Sequence, residues 1–303
     1  MAFVTGQDWI DATRAKLLTG YSEQRNVLAA PYTAGTGTLT FTYALGNIVA
    51  GATISVGLNI FYVFAVNTSA LTATVVGGQN GSTDISLANG TLVRLNPKFT
   101  DFDIWNALAA DLADLSSPLN GLYGMTYTDF SFLATIVGYD LGASAAANLI
   151  EVYEVRYLTP GNYKDSPRLK QYSWKENRQA YAGDIPSGMG VEIVNSENLL
   201  PGRNMRVFWK SAFTLPAAPT APLSTSLVIP TAYDLPPIGA AIILMAGQEI
   251  KRNFTSSEGD MRRATEVPAG AVAASSKGLK DLRQLRIDAE AARLINFYPP
   301  YKD

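Results

Sequence analysis

The hydrophobic period of this chain changes repeatedly along its length, and that alternation limits the fold more than any other feature. Residues 5–18 place Trp9, Ile10, Ala12 and Leu17 at helical spacing, with Gly20 as a stop. From about Leu28 the period falls to two. Thr38-Leu39-Thr40-Phe41-Thr42-Tyr43 alternates polar with apolar, as a strand with one buried face does. Ile54-Ser55-Val56 follows, and then residues 60–66, continuous enough in apolar character to be buried on both faces. Thr72 to Val76 runs into Gly77-Gly78-Gln79-Asn80-Gly81, where Asn-Gly signals a hairpin because both central residues of a tight turn take positive φ. With Thr91 to Leu95 these short strands predict a small sandwich or barrel.

A helix is predicted over residues 100–115. Thr100 caps it, Asp103 completes a capping box, and Ile104, Trp105, Leu108, Leu112 and Leu115 form one apolar stripe. A second β-rich stretch runs from about Tyr123 to Pro230, with strands expected at 125–132, 149–158, 169–174, 180–182, 189–194 and 205–214. Glu151 to Tyr157 alternates cleanly, which implies one wet face. Pro216 to Pro222 reads as a stiff polyproline connection. Helical spacing returns at Asp234, a cap followed by Pro236, and Ile238 to Lys251 continues it. Gly239, Ala240 and Ala241 leave room for a neighbouring helix. After a Gly/Ser/Ala-rich stretch over 256–276, residues 277–297 read as a last helix with Leu279, Leu282, Leu285, Ala289 and Ala292 on one side.

The expected class is therefore α+β, a discontinuous helical bundle with two inserted β-rich blocks resembling sandwiches or barrels. Residues 1–27, 98–120 and 234–303 make up the bundle, 28–97 the first β block and 121–233 the second.

Composition narrows the chemistry. There is no His and no Cys in 303 residues, which removes the commonest general base, the best nucleophile and the usual transition-metal ligands. No G-x-S-x-G, no phosphate-loop signature and no EF-hand calcium loop is present. The Gly-rich run 77–81 opens no helix and so suits a turn better than a phosphate cradle. Asp101, Asp103, Asp111 and Asp114 share one helix, where a cap plus a solvated face explains them better than a metal site; an oxygen-only Ca²⁺ or Mg²⁺ site stays open. No enzymatic activity and no cofactor are expected. A formal net charge of −2 gives no general pull toward nucleic acid. The N-terminus lacks the basic and apolar regions of a signal peptide, and Ile238 to Gly247 is too short to span a bilayer, so synthesis in a cytoplasm with no membrane partner is expected.

Two stretches carry a resemblance. One is Thr74-Val75-Val76-Gly77-Gly78-Gln79-Asn80-Gly81-Ser82-Thr83, through Val93-Arg94-Leu95-Asn96-Pro97-Lys98-Phe99, into Ile104-Trp105-Asn106-Ala107-Leu108. The other is Asp234-Leu235-Pro236-Pro237-Ile238-Gly239-Ala240-Ala241 with Gly247-Gln248-Glu249-Ile250-Lys251-Arg252 and a closing helix over 286–294. Together they resemble the neck (adaptor or connector) proteins that join head to tail in tailed bacteriophages. The resemblance implies a virion structural protein, a homo-oligomeric ring (a dodecamer, following the portal) that binds the portal protein above and neck or tail proteins below. The β blocks are larger than those of small, mostly helical adaptors. A minor tail or baseplate protein, and a carbohydrate-binding or glycan-acting module built on Trp, Tyr and carboxylates, are the alternatives.

Two candidate surfaces follow. The closing Phe297-Tyr298-Pro299-Pro300-Tyr301 offers aromatic anchors for docking onto the portal or a neighbour. Arg262, Arg263, Lys277, Lys280, Arg283, Arg286 and Arg293 form the basic concentration, read either as helix-surface ion pairing with Asp281, Asp288 and Glu290 or as a stripe facing a partner or passing packaged DNA without sequence preference.

Overall fold

A computed structural model of the chain describes residues 3–17, 23–46, 48–136, 138–157, 168–194, 199–256 and 271–299. It is mixed, with five helices among the described residues and strands that pair antiparallel throughout. The chain divides into two compact units, one from residues 7–111 and 236–283, the other from 1–6, 112–235 and 284–303. The division runs through helices instead of separating helical from strand segments, so each unit contains both.

In the unit that begins at residue 7, helix α1 (Gly6–Leu17) precedes strands β1 (Gln24–Val27), β2 (Thr38–Thr40), β3 (Thr53–Val56), β4 (Asn59–Asn67), β5 (Thr72–Val76) and β6 (Leu92–Leu95). They form one curled sheet in the order β1-β6-β3-β4-β5-β2. Its two outer strands meet: Ala29 N donates to the Thr40 carbonyl at 2.9 Å, Thr42 N donates to the Val27 carbonyl at 2.9 Å, and Leu28 bridges Phe41. Such joining removes most of the exposed edge that an open sheet leaves. The core inside the curl includes Leu39, Phe41, Ile54, Phe61, Val63, Val75 and Val93.

Two expectations for this block are corrected. Strand β4 is not buried on both faces: Tyr62 and Phe64 are exposed, because only the inner face meets the core. A register shift between Val63 and Ala65 leaves Phe64 as the extra residue. Asn80 and Gly81 do take positive φ (54° and 82°), yet they sit in a single helical turn, and β5 and β6 are not partners. The long connection from β5 places β6 beside β1 and β3 instead.

Helix α2 (Asp101–Leu115) forms as its capping signal requires. Asp103 N donates to Thr100 Oγ1 at 3.0 Å and Thr100 N donates to Asp103 Oδ2 at 3.3 Å, the reciprocal pair of a capping box. Its predicted stripe is buried at all five positions. Of the aspartates expected as a cap plus a solvated face, Asp103 caps and Asp114 is exposed, but Asp101 and Asp111 are buried. Asp101 joins Arg14 of α1 and Arg94 of β6 (2.6 Å) in a buried cluster with Glu23.

The other unit holds strands β7 (Gly124–Ser131), β8 (Gly138–Asp140), β9 (Leu149–Tyr157), β10 (Trp174–Asn177), β11 (Gly190–Ile193) and β12 (Asn204–Ser211), with helix α3 (Ala143–Asn148). Two three-stranded sheets, β10-β11-β8 and β7-β12-β9, share a core of Phe132, Tyr139, Val155, Val191, Val207 and Trp209. Neither β8 nor α3 is expected from the sequence. Residues 171–173 form a helical turn where a strand is predicted, and 180–182 are not a strand. The alternation of β9 breaks at a bulge: Phe208 lies opposite Glu154 and Trp209 opposite Val152, so Tyr153 is the extra residue. Glu154 falls on the face opposite Val155 and is nevertheless buried, held by Arg156 at 2.5 Å and Arg168 at 2.8 Å. The proline-rich 216–222 segment turns instead of extending, since Ala221 N reaches back to the Ala218 carbonyl at 2.9 Å and Pro222 bridges Thr5.

Helix α4 (Leu235–Ser256) starts after Asp234 with Pro236 and Pro237 in its first turn. Helix α5 (Ala271–Phe297) begins earlier than residue 277, within the stretch expected as a connection.

Candidate functional site

Helix α5 carries half of the predicted functional residues, and its packing decides what they can do. Midway along it Arg283 donates to Asp111 of α2 at 2.7 Å, with the Asp111 side chain buried and that of Arg283 partly so. Gly239 of α4 closes on the same carboxylate, and a Cβ there would overlap Asp111. Gly239 thus serves the close approach expected of the small residues at 239–241. Further along, Arg286 clasps the Asp234 carboxylate through Nε and Nη2, each at 3.0 Å, and donates to the Thr231 carbonyl at 2.7 Å. The bond to Asp234 and its charge hold the Arg286 guanidinium protonated more firmly than usual. Glu290 is buried; it accepts from Thr231 Oγ1 at 2.8 Å and lies 3.5 Å from Arg286 and 3.3 Å from Arg293. Arg293 also bonds the Thr231 hydroxyl.

This anchorage fixes which side of the helix faces the protein. The inward face is Arg283, Ile287, Glu290 and Leu294, a mixture of paired charges and two aliphatics. The predicted apolar stripe points outward: Leu282 is 47% and Leu285 69% exposed, Ala289 and Ala292 are exposed, and only Leu279 is partly covered. Burying charge is tolerable here because each inward ion has an opposite partner. No local signal in the sequence reveals that Asp111, Thr231 and Asp234 wait at the right places.

Of the seven basic residues, Arg283, Arg286 and Arg293 are engaged with acids of their own chain, while Lys277 and Lys280 are exposed. Arg262 and Arg263 lie outside the described residues.

The aromatic tail is partly folded back. Phe297 is exposed, with the Arg293 guanidinium 5.3 Å from its ring centre. Tyr298 instead packs against Tyr123 (centroids 6.4 Å apart) and edge-on to Tyr153 (5.8 Å), and Tyr153 donates its hydroxyl to the Pro299 carbonyl at 3.0 Å. Burial, then the neighbouring Tyr153, Tyr298 and Glu151, push the Tyr123 phenol up to about 12. Tyr298 is therefore held by its own chain, and Phe297 is the anchor presented to solvent. Pro300 and Tyr301 lie outside the described residues. The seat formed by Tyr123 and Tyr153 is another feature missed from sequence, as nothing local links either to the C-terminus.

The remaining chemistry is sparse. A cavity of about 680 Å³ is lined by Arg14, Glu23, Arg25, Arg94 and Asp101, whose charges are mixed in sign. Among the described residues no group of three or more acidic, His or Cys side chains is placed to hold a metal ion, and no helix is long and apolar enough to cross a membrane. No protein-family model matches the chain, and no curated protein matches it.

Proposed function

We propose that this chain is a structural subunit of a tailed-phage virion, a head-to-tail adaptor that assembles with copies of itself into a neck ring joining the portal protein to the tail around the DNA channel. The residues at 74–108 and 234–252 that resemble neck proteins support the reading. The observation that carries it is the solvent-facing apolar face of α5, on a helix whose opposite face is tied down by ion pairs. A monomer gains nothing from exposing Leu282, Leu285 and Ile295 together, whereas an assembly subunit needs such a face. In this reading the segments 1–27, 98–120 and 234–303 build the ring body, the strand-rich parts brace against neighbours, and Phe297 docks onto the portal. Native mass measurement and negative-stain imaging of the purified chain test it. Annular particles of about twelve copies, each using two different faces, are expected. A chain that stays monomeric at every accessible concentration refutes the assembly reading, and trimers or sixfold rings move it to the minor tail or baseplate alternative.

A further inference from the structure

The outward face of α5 has a spacing that bears on its occupant. Gly278, Leu282, Leu285, Ala289, Ala292 and Asn296 follow one another at steps of four, three, four, three and four, and all six are exposed. That is the seam spacing of a helix that pairs with another helix along its length. Nothing lies within 4 Å of a Cβ built at Gly278, and the two alanines let a second backbone come close. From Leu282 to Asn296 the seam runs about 21 Å at 1.5 Å per residue.

The charges beside the seam identify the occupant. On one flank stand Asp281 and Asp288, both exposed; on the other stand Arg286 and Arg293, whose side chains keep 32% and 39% of their surface accessible beyond their own pairings. In a parallel pair of helices a residue on the first flank meets the residue five positions later on the second helix. Asp281 would then face the partner's Arg286, and Asp288 the partner's Arg293, with the same two pairs repeated in reverse across the seam. An antiparallel pair would set aspartate against aspartate and arginine against arginine. Two opposite-charge pairs at the required offset on the same helix are specific to a like partner.

We infer that α5 pairs in parallel, through Leu282, Leu285, Ala289 and Ala292, with the same helix of a second copy of this chain. The inference rests on the reading of the chain as an assembly subunit and adds which face is used and in which direction. Four apolar side chains cover less than the roughly 800 Å² per partner of a standard interface, so the seam sets alignment and register beside other contacts.

The chain has no cysteine, so an introduced thiol is the only one present. Ala292→Cys and Ala289→Cys place it on the seam, and Lys280→Cys places it on the same helix off the seam. Mild oxidation of each full-length variant, followed by a non-reducing gel, reads the fraction linked. Parallel pairing predicts that both seam variants link to themselves about tenfold more than Lys280→Cys, because equivalent seam positions meet. Adding Asp288→Arg to Ala292→Cys should lower the linked fraction by about two- to fivefold, since both copies carry the change and two surface pairs are lost. Wild-type assemblies in which neither seam variant links would overturn the inference and leave the assembly reading standing. Linking only between Ala292→Cys and Leu282→Cys in a mixture would overturn the parallel direction. A wild-type chain that is monomeric refutes both.

Discussion

The buried cluster of Arg14, Glu23, Arg94 and Asp101 predicts a large and specific loss on removing one charge. Asp101 accepts from Arg14 and from Arg94 Nη1 at 2.6 Å; Glu23 accepts from Arg14 Nη1 at 2.6 Å and lies 3.4 Å from Arg94 Nε. The side chains of Asp101 and Glu23 are each 3% exposed, so the two positive and two negative charges balance with little help from water. Asp101→Asn keeps the shape and removes one negative charge, leaving two guanidiniums to one carboxylate. Breaking a buried pair in this way costs about 3–5 kcal/mol. A further 0.3–1 kcal/mol, roughly, comes from losing a carboxylate in the first turn of α2. The sum is a large share of the total stability of about 5–15 kcal/mol expected of a protein domain. Urea unfolding followed by tryptophan fluorescence reads the loss, since Trp9 of α1 and Trp105 of α2 are both buried beside the elements that the cluster joins. The decisive control is Asp101→Asn combined with Arg94→Gln, which restores charge balance and should be less destabilised than the sum of the single variants by at least about 1 kcal/mol. A loss below about 1 kcal/mol for Asp101→Asn, or strict additivity in the double variant, would refute the argument from uncompensated charge.

Gly239→Ala should lower stability by about 1–3 kcal/mol, because the added methyl displaces the Asp111 carboxylate that Arg283 needs; an unchanged urea midpoint would show that the helices part freely. For Asp140, burial raises the carboxyl's pKa, but donation from the Ser187 hydroxyl and from the backbone N–H groups of Gly142 and Ser187 outweighs burial and leaves it below the ordinary value. A carboxyl depressed in the folded state contributes stability above its unfolded pKa of about 3.9 that is lost as pH falls through the folded value, so the deficit of Asp140→Asn should shrink between pH 6 and pH 2; an equal deficit at both ends contradicts this. Tyr123 is the opposite case, raised to about 12, so its contribution is complete below pH about 10 and is lost as pH climbs through the folded value. Difference absorbance against Tyr123→Phe should place its ionisation near 12, and Tyr298→Ala should draw it down by admitting water; an unmoved titration would mean that Tyr298 does not cover the ring.

What was legible in the sequence is what neighbouring residues decide. Thr100 and Asp103 are three apart and cap each other, so α2 could be placed closely. Asp234 and the prolines after it marked the start of α4 for the same reason. Strand partners were not legible, because pairing joins β6 to β1 across some seventy residues and leaves β5, its predecessor, elsewhere. Bulges at Phe64 and Tyr153 shift which residues share a face, and Glu154 is buried by Arg156 and Arg168 without any local signal. The orientation of α5 was not legible. Counting apolar residues gathers Leu279, Leu282, Leu285, Ala289 and Ala292 on one side, while Asp111, Asp234 and Thr231 draw the arginines and Glu290 of another side inward. Helical period identifies an apolar stripe without saying whether its partner is the same chain.

That ambiguity bears on which virion component the proposed reading favours. A seam that pairs with its own equivalent is a contact between like faces, and such contacts close after two or three copies around a shared axis. A ring of about twelve requires unlike faces meeting in turn. The two arrangements coexist only if the seam joins copies within a pair and a second surface joins the pairs. The Phe297 end of α5 and the exposed Tyr62 and Phe64 of β4 are surfaces available for that second role. Leu285→Asp separates the cases, since it places a carboxylate in the seam centre without touching the ion pairs that hold the helix. Rings that fall to half-sized units or open particles place the seam inside a larger annulus. Complete reversion to monomers makes the seam the principal contact and favours the few-copy geometry of a tail component over the neck.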